Sequence, residues 1–150
     1  MSSKVILLVE DNPDDVELAS IAIKRGGIAN ELVVARDGVE ALEYLLPAGQ
    51  QKLNLPQLVL LDLKLPKLNG MEVLQRLRTD PRTRRLPVVI LTSSREEEDL
   101  IRGYDLGANS YVRKPVEFDQ FQKAVQQLQL YWLVLNEAPP EEAPCQPSAS

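Results

Sequence analysis

The feature that constrains this chain most is Leu58-Val-Leu-Leu61, four consecutive apolar residues that stop at an acid, Asp62. A strand that is apolar on both faces has to be covered on both, the condition of a parallel sheet packed between helices. Lys4-Val-Ile-Leu-Leu-Val9 repeats the pattern and also stops at acid, Glu10-Asp11-Asn12-Pro13-Asp14-Asp15. Pro66 and Gly70 mark a loop before the helical pattern Met71-Glu-Val-Leu-Gln-Arg-Leu, so Asp62 stands at the carboxyl end of a strand. In an open α/β sheet that edge is where ligands bind, although a turn or a helix cap would equally account for one Asp there.

The rest of the chain continues the alternation. Asn12 or Asp14 can cap a helix that has Pro13 near its start and Val16, Leu18, Ala19, Ala22 and Ile23 as its apolar face, with Gly26-Gly27 ending it. Glu31–Ala35 is a short strand, Asp37-Gly38 a turn or cap, and Val39–Leu46 a helix stopped by Pro47. Residues 47–57 have loop composition and form a surface insertion before the strand at Leu58. A helix near 70–79 is followed by an Arg-rich loop, and then Val88–Thr92 is a fourth strand, ending in the hydroxyls Thr92-Ser93-Ser94. Arg95-Glu-Glu-Glu-Asp99 opens another helix whose early acids suit its positive end. Ser110–Arg113 is a fifth strand, ending at Lys114-Pro115.

The final helix, from about Phe118 to Leu135, carries Phe118, Phe121, Val125, Leu128, Trp132 and Leu135 at steps of three and four, one continuous buried stripe. Leu130, Tyr131, Leu133 and Val134 make its last turns apolar on every side, more than one sheet face can cover, so that surface calls for another partner. The expectation is one domain over residues 1–135 and a disordered Pro- and Glu-rich tail over 136–150.

Charge and composition exclude several function classes. A net charge of −5 disfavours nucleic acid as the main partner. The one basic segment, Arg76 to Arg85, has no interleaved aromatics and reads as a solvated helix end and loop. No apolar run approaches the roughly 20 residues of a membrane span, and the N-terminus lacks a secretory pattern, so the expected location is the cytoplasm. With no His at all and a single Cys145 in the tail, imidazole catalysis and His or Cys metal sites are excluded on this chain. The chemistry left is that of carboxylates, hydroxyls and Lys.

Five βα units with short connections predict a doubly wound parallel sheet with helices on both faces, in which several strand ends converge on one crevice. Delivered there are Glu10, Asp11, Asp62, Thr92 and Lys114. Three carboxylates packed together repel one another unless a cation neutralises them, and an all-oxygen ligand set points to Mg²⁺, with Mn²⁺ as a substitute. Asp62 as nucleophile, a metal bridging it to incoming oxygens, the Thr92 hydroxyl and the Lys114 point charge together meet the needs of phosphoryl transfer. Each residue also has a plain alternative: Glu10 and Asp11 as helix-start acids, Thr92 as a cap, Lys114 as surface.

Glu10-Asp11, Asp62-Leu-Lys-Leu-Pro66 through Gly70, Thr92-Ser93 and Lys114-Pro115 jointly resemble a two-component response-regulator receiver domain over residues 4 to about 130. The resemblance implies the flavodoxin-like strand order 2-1-3-4-5 and phosphoryl transfer to Asp62 from a sensor histidine kinase. It further implies direct Mg²⁺ ligation by Asp11, a water-mediated role for Glu10, a backbone-carbonyl ligand at Lys64, a cis proline after Lys114, and a Thr92–Tyr111 switch pair. Such a protein is a signalling switch, with no enzymatic activity beyond its own phosphorylation and autodephosphorylation. Val9-Glu-Asp-Asn-Pro-Asp-Asp15, the insertion near 50 and Gly107-Ala-Asn-Ser-Tyr-Val-Arg-Lys-Pro115 are similar to the small response regulators paired with cyanobacterial phytochromes. That likeness implies a phytochrome as the kinase, no output domain, and a homodimer through the last strand and helix, including Leu130, Tyr131, Trp132, Leu133 and Val134.

Three rival readings are weaker on the residues. A metal-dependent aspartyl phosphatase wants a second acid two residues past the nucleophile, where this chain has Lys64. A flavin module wants a Gly- and hydroxyl-rich loop after the first strand, where this chain has acids that would repel phosphate. A pseudo-receiver acting as a phosphorylation-independent interaction module would not need the intact acidic, hydroxyl and amine set.

Overall fold

The structure, a computed structural model, describes residues 4–25, 30–47, 55–63, 65–92, 104–105, 107–108, 110–113, 122–124 and 126–127. Strands β1 (Lys4–Val9), β2 (Asn30–Ala35), β3 (Leu58–Leu61), β4 (Val88–Thr92) and β5 (Ser110–Arg113) alternate with helices α1 (Pro13–Arg25), α2 (Gly38–Leu45) and α3 (Gly70–Thr79). All strand pairs are parallel and the order is β2-β1-β3-β4-β5, the doubly wound arrangement expected.

The apolar runs form the centre of the sheet because each of their residues has a buried side to occupy. Ile6, Leu8, Leu58, Leu60 and Val89 face Val16, Ala19, Ala22 and Ile23 of α1. Leu7, Val9, Val59, Leu61, Val88 and Ile90 face the opposite way, onto Ala41 and Leu45 of α2 and Met71, Leu74 and Leu77 of α3. Period two in the strands thus meets period 3.6 in the helices. Burial of a side chain such as Leu45 or Leu74 stabilises by about 1.5–3 kcal/mol.

Leu18 departs from expectation: it is 39% exposed, not part of the apolar face. It sits two residues from Val16, about 200° round the helix axis, where α1 turns away from the sheet. Asn12 is the α1 cap: its Oδ1 accepts from the backbone N–H groups of Asp14 at 2.9 Å and Asp15 at 3.3 Å, with Pro13 first in the helix. Asp37 and Asn69 cap α2 and α3 in the same way, accepting from Glu40 N at 2.8 Å and Glu72 N at 3.0 Å.

Residues 122–124 and 126–127 are helical, and Arg25 donates from Nη1 to Gln122 Oε1 at 3.3 Å, which brings this segment beside the end of α1. The helix expected from Arg95, most of the final helix, residues 48–54 of the insertion and the 136–150 tail lie outside the described residues. No helix among the described residues is long and apolar enough to cross a membrane.

Candidate functional site

Register decides which side chains meet. β1 and β3 are neighbours with Val9 opposite Leu61, so the residue after each strand emerges at the same level. Asp62 N donates to Val9 O at 3.0 Å and Glu10 N to Ala35 O at 2.9 Å, carrying the ladder one step past the strands and fixing both acids at their bases. Glu10, Asp11 and Asp62 then offer carboxylate oxygens that all lie within 4.8 Å of one another.

Glu10 and Asp62 are buried, at 2% and 7% exposure, whereas Asp11 is open to solvent. Two buried carboxylates beside a third are costly without compensating positive charge. Glu10 Oε2 accepts from Asn12 N at 3.3 Å, a long bond that ties the acid to the α1 cap. Mg²⁺ holds oxygens at 2.0–2.1 Å, so opposed ligands span about 4.2 Å, close to the spread of these three carboxylates. The donor set is all oxygen and half sheltered, so the residues present suit a hard divalent cation.

The loop after Asp62 is held tightly. Gly70 N donates to Leu63 O at 2.9 Å, and a Cβ on Gly70 would lie only 2.2 Å from the carbonyl oxygen of Asp62. Leu68 N donates to Pro66 O at 2.7 Å around Lys67, whose φ is +67°, a tight three-residue turn that non-glycine residues adopt under strain. Lys67 Nζ lies 3.4 Å from Asp37 Oδ2, pinning that turn to the start of α2. The Glu40 N–H first, and Lys67 after it, hold the Asp37 carboxyl below its usual range. A cavity of about 550 Å³ flanks this loop, lined by Val39, Leu42, Leu46 and Leu68 among others, but the three carboxylates are not part of its wall.

Of the remaining expected site residues, Thr92 ends β4 and Tyr111 is the second residue of β5, the pairing β4 to β5 placing Thr92 opposite Arg113. Lys64, Lys114 with the proline bond that follows it, and Leu130, Tyr131, Trp132, Leu133 and Val134 lie outside the described residues.

One expectation is corrected. Arg78, assigned to a solvated basic surface, has its guanidinium turned inward onto backbone carbonyls: Leu86 O at 2.8 Å, Arg84 O at 3.1 Å, and Gly107 O at 2.8 and 3.0 Å. Burial pushes its pKa down from the ordinary arginine value. The signal was present in the spacing, because Arg78 stands four residues after Leu74 and seven after Met71, on the inward face of α3.

A five-stranded parallel α/β sheet with an acid triad at the ends of its first and third strands defines a phosphoacceptor-type receiver, and the comparisons agree. The response regulator receiver domain model matches residues 6–126, and the chain belongs to that family. It is 42% identical over 135 residues to the probable methanogenesis regulatory protein FilR2 of Methanothrix harundinacea, covering 90% of this chain and 87% of that one. It is 41% identical over 131 residues to the response regulator Rcp1 of Synechocystis, covering 87% and 89%. The Mn²⁺-bound structure of Rcp1 superposes with a TM-score of 0.82 at 39% identity over 91% of this chain and 99% of that one. The phosphorylated cyanobacterial phytochrome response regulator RcpA superposes with a TM-score of 0.84 at 38% identity, over 93% and 100%. The chain is therefore a receiver-domain signalling protein, with Mg²⁺ the cation its acid cluster suits and Mn²⁺ the ion bound in a relative.

Proposed function

We propose that the chain is a single-domain switch in which Asp62 accepts a phosphoryl group from a sensor histidine kinase. The observation that carries this reading is the meeting of Glu10, Asp11 and Asp62 within 4.8 Å at the carboxyl edge of the sheet. An Asp62 carboxylate oxygen forms the new P–O bond as the donor's P–N bond breaks, leaving an acyl phosphate that water later hydrolyses. A bound Mg²⁺ would supply charge neutralisation for the phosphoryl oxygens, held by Asp62, Asp11, Glu10 through water and the Lys64 carbonyl. Thr92 donates its hydroxyl to one phosphoryl oxygen and Lys114 offers its ammonium to another. Tyr111 follows Thr92 inward, so that the surface of the last strand and helix changes.

The kinase is a phytochrome in this reading, supported by the likeness to the phytochrome response regulator RcpA. The receiver occupies residues 1–135 and works in the cytoplasm, with 136–150 outside it. Leu130, Tyr131, Trp132, Leu133 and Val134 form a homodimer contact, supported by the apolar surplus of those turns.

The test is incubation with acetyl phosphate and Mg²⁺ followed by intact mass. Wild type gains a single hydroxylamine-labile phosphoryl adduct and Asp62→Asn gains none. A wild-type mass that does not change refutes the reading.

A further inference from the structure

Among the described residues β5 is a four-residue strand at the edge of the sheet, with β4 as its one neighbour. No hairpin joins a parallel pair, so the register of such a strand depends on how its connections are anchored. Among the described residues one side chain bridges the two entry loops. Arg78 Nη1 donates to Leu86 O, two residues before β4 begins, while Nη2 and Nε both donate to Gly107 O, three residues before β5 begins. Nη1 also reaches Arg84 O. One planar fork thus holds the entry points of both strands.

The other half of the contact is equally specified. Gly107 has a φ of +90°, and a Cβ there would come within 2.9 Å of Arg78 Nε. Its N–H donates to Tyr104 O at 2.9 Å, closing the turn that aims the carbonyl at Arg78. A Lys at 78 would bring a compact point charge in place of the fork, unable to span Leu86 O and Gly107 O together.

We propose that Arg78 is a positioning residue that sets the register of β5 against β4, and through it the reach of Tyr111 and Lys114 toward the Asp62 phosphoryl group. The proposal rests on the phosphoacceptor reading. The observed pairing runs from Val89 with Ser110 to Thr92 with Arg113, and Lys114 is the next residue in the chain. A slip of one residue would move that position by about 3.3 Å and reverse the faces on which Tyr111 and its neighbours lie. Glu10, Asp11 and Asp62 follow β1 and β3 and do not depend on this register.

The experiment compares wild type, Arg78→Lys, Gly107→Ala and Thr83→Val in the full chain, measuring the rate of labelling by acetyl phosphate and Mg²⁺ affinity by calorimetry. Thr83 is the structural control: its buried hydroxyl donates to Leu77 O at 2.7 Å, and its contact with Arg78 Nη1, at 3.4 Å, is through the backbone carbonyl that Thr83→Val retains. Arg78→Lys is expected to label at least about ten-fold more slowly, within the roughly hundred-fold that a misplacement near 1 Å can cost. Its Mg²⁺ dissociation constant should stay at the wild-type value, and Thr83→Val should label at the wild-type rate despite lower stability. A folded Arg78→Lys that labels like wild type overturns the proposal, as does equal slowing in Thr83→Val. Should Arg78→Lys not fold, Gly107→Ala carries the same decision from the opposite side of the contact. An unlabelled wild type overturns the phosphoacceptor reading and this proposal with it.

Discussion

Replacing Gly70 by Ala separates two physical effects of opposite sign. Gly70 is the first residue of α3, and on helix propensity alone an added methyl stabilises by roughly 0.5–1 kcal/mol. The space for that methyl is taken: it would lie 2.2 Å from the carbonyl oxygen and 3.0 Å from the carbonyl carbon of Asp62, and 2.8 Å from the Cα of Leu63. All three are backbone atoms, so no side chain can swing aside, and α3 must lift by roughly 1 Å to restore ordinary contact, an overpacking cost of about 1–3 kcal/mol. The lift also stretches the Gly70 N–H to Leu63 carbonyl bond, now 2.9 Å, which contributes about 1 kcal/mol. The expected net loss is about 2 kcal/mol, or a fall of about 4–8 °C in Tm for a chain of this size. Because two of the three crowded atoms belong to Asp62 itself, acetyl phosphate labelling should slow as well, by up to about a hundred-fold. Thermal unfolding followed by circular dichroism, and labelling followed by intact mass, measure the two effects. A Gly70→Ala protein more stable than wild type and labelled at the wild-type rate would refute the close approach of α3 to the Asp62 backbone.

Three further outcomes can be checked. Lys67→Gly and Lys67→Ala both remove the 3.4 Å ion pair to Asp37, so their difference isolates the backbone at φ +67°. Gly should be the more stable by about 1 kcal/mol after its greater unfolded-state freedom is allowed for, and equal urea midpoints would show that the turn carries no strain. Asp37 has a folded pKa below its ordinary 3.8, held there by the Glu40 N–H and then Lys67. A lowered carboxylate pKa stabilises above the unfolded value and is lost as pH falls through the folded one. Asp37→Ala should accordingly be less stable than wild type at neutral pH, with the gap closing below pH 3.8; a constant gap across the acid limb contradicts the cap's charge dependence. Trp132→Glu should sediment as a monomer with an unchanged circular dichroism spectrum, and a persistent dimer excludes Trp132 from the proposed interface.

The sheet and the acid cluster were legible because burial on two faces leaves no room for polar residues. Leu58–Leu61 and Val5–Val9 could be little else than central strands, and the first polar residue past each had to be where the chain leaves the core. Parallel pairing then put Glu10, Asp11 and Asp62 together without further information. What periodicity could not resolve were the margins. Leu18 stands just past the edge of the buried arc of α1, and an apolar side chain there is tolerated at the surface. Arg78 was misassigned for the converse reason: a charge on the inward face of α3 reads as a helix-end cation until the carbonyls of Leu86 and Gly107, eight and twenty-nine residues away in sequence, are seen to converge on it. Such a contact depends on where two loops turn, and loop geometry is not periodic.

These findings divide the site into two mechanical halves. The cation-binding half belongs to β1 and β3, each flanked by a neighbour on either side and buried on both faces, with Asp62 N bonded to Val9 O across the join. The backbone at Glu10 and Asp62 is tied to these central strands, so the spacing of their two bases is as stable as the sheet, while Asp11 is open to solvent. The other half, the proposed responders Thr92 and Tyr111, lies on β4 and on β5, the last strand in the order, whose entry loops are bridged by the Arg78 guanidinium. A parallel sheet in this order therefore sets the cation-binding acids at the ends of its central strands and the proposed responders Thr92 and Tyr111 on the two strands beyond them.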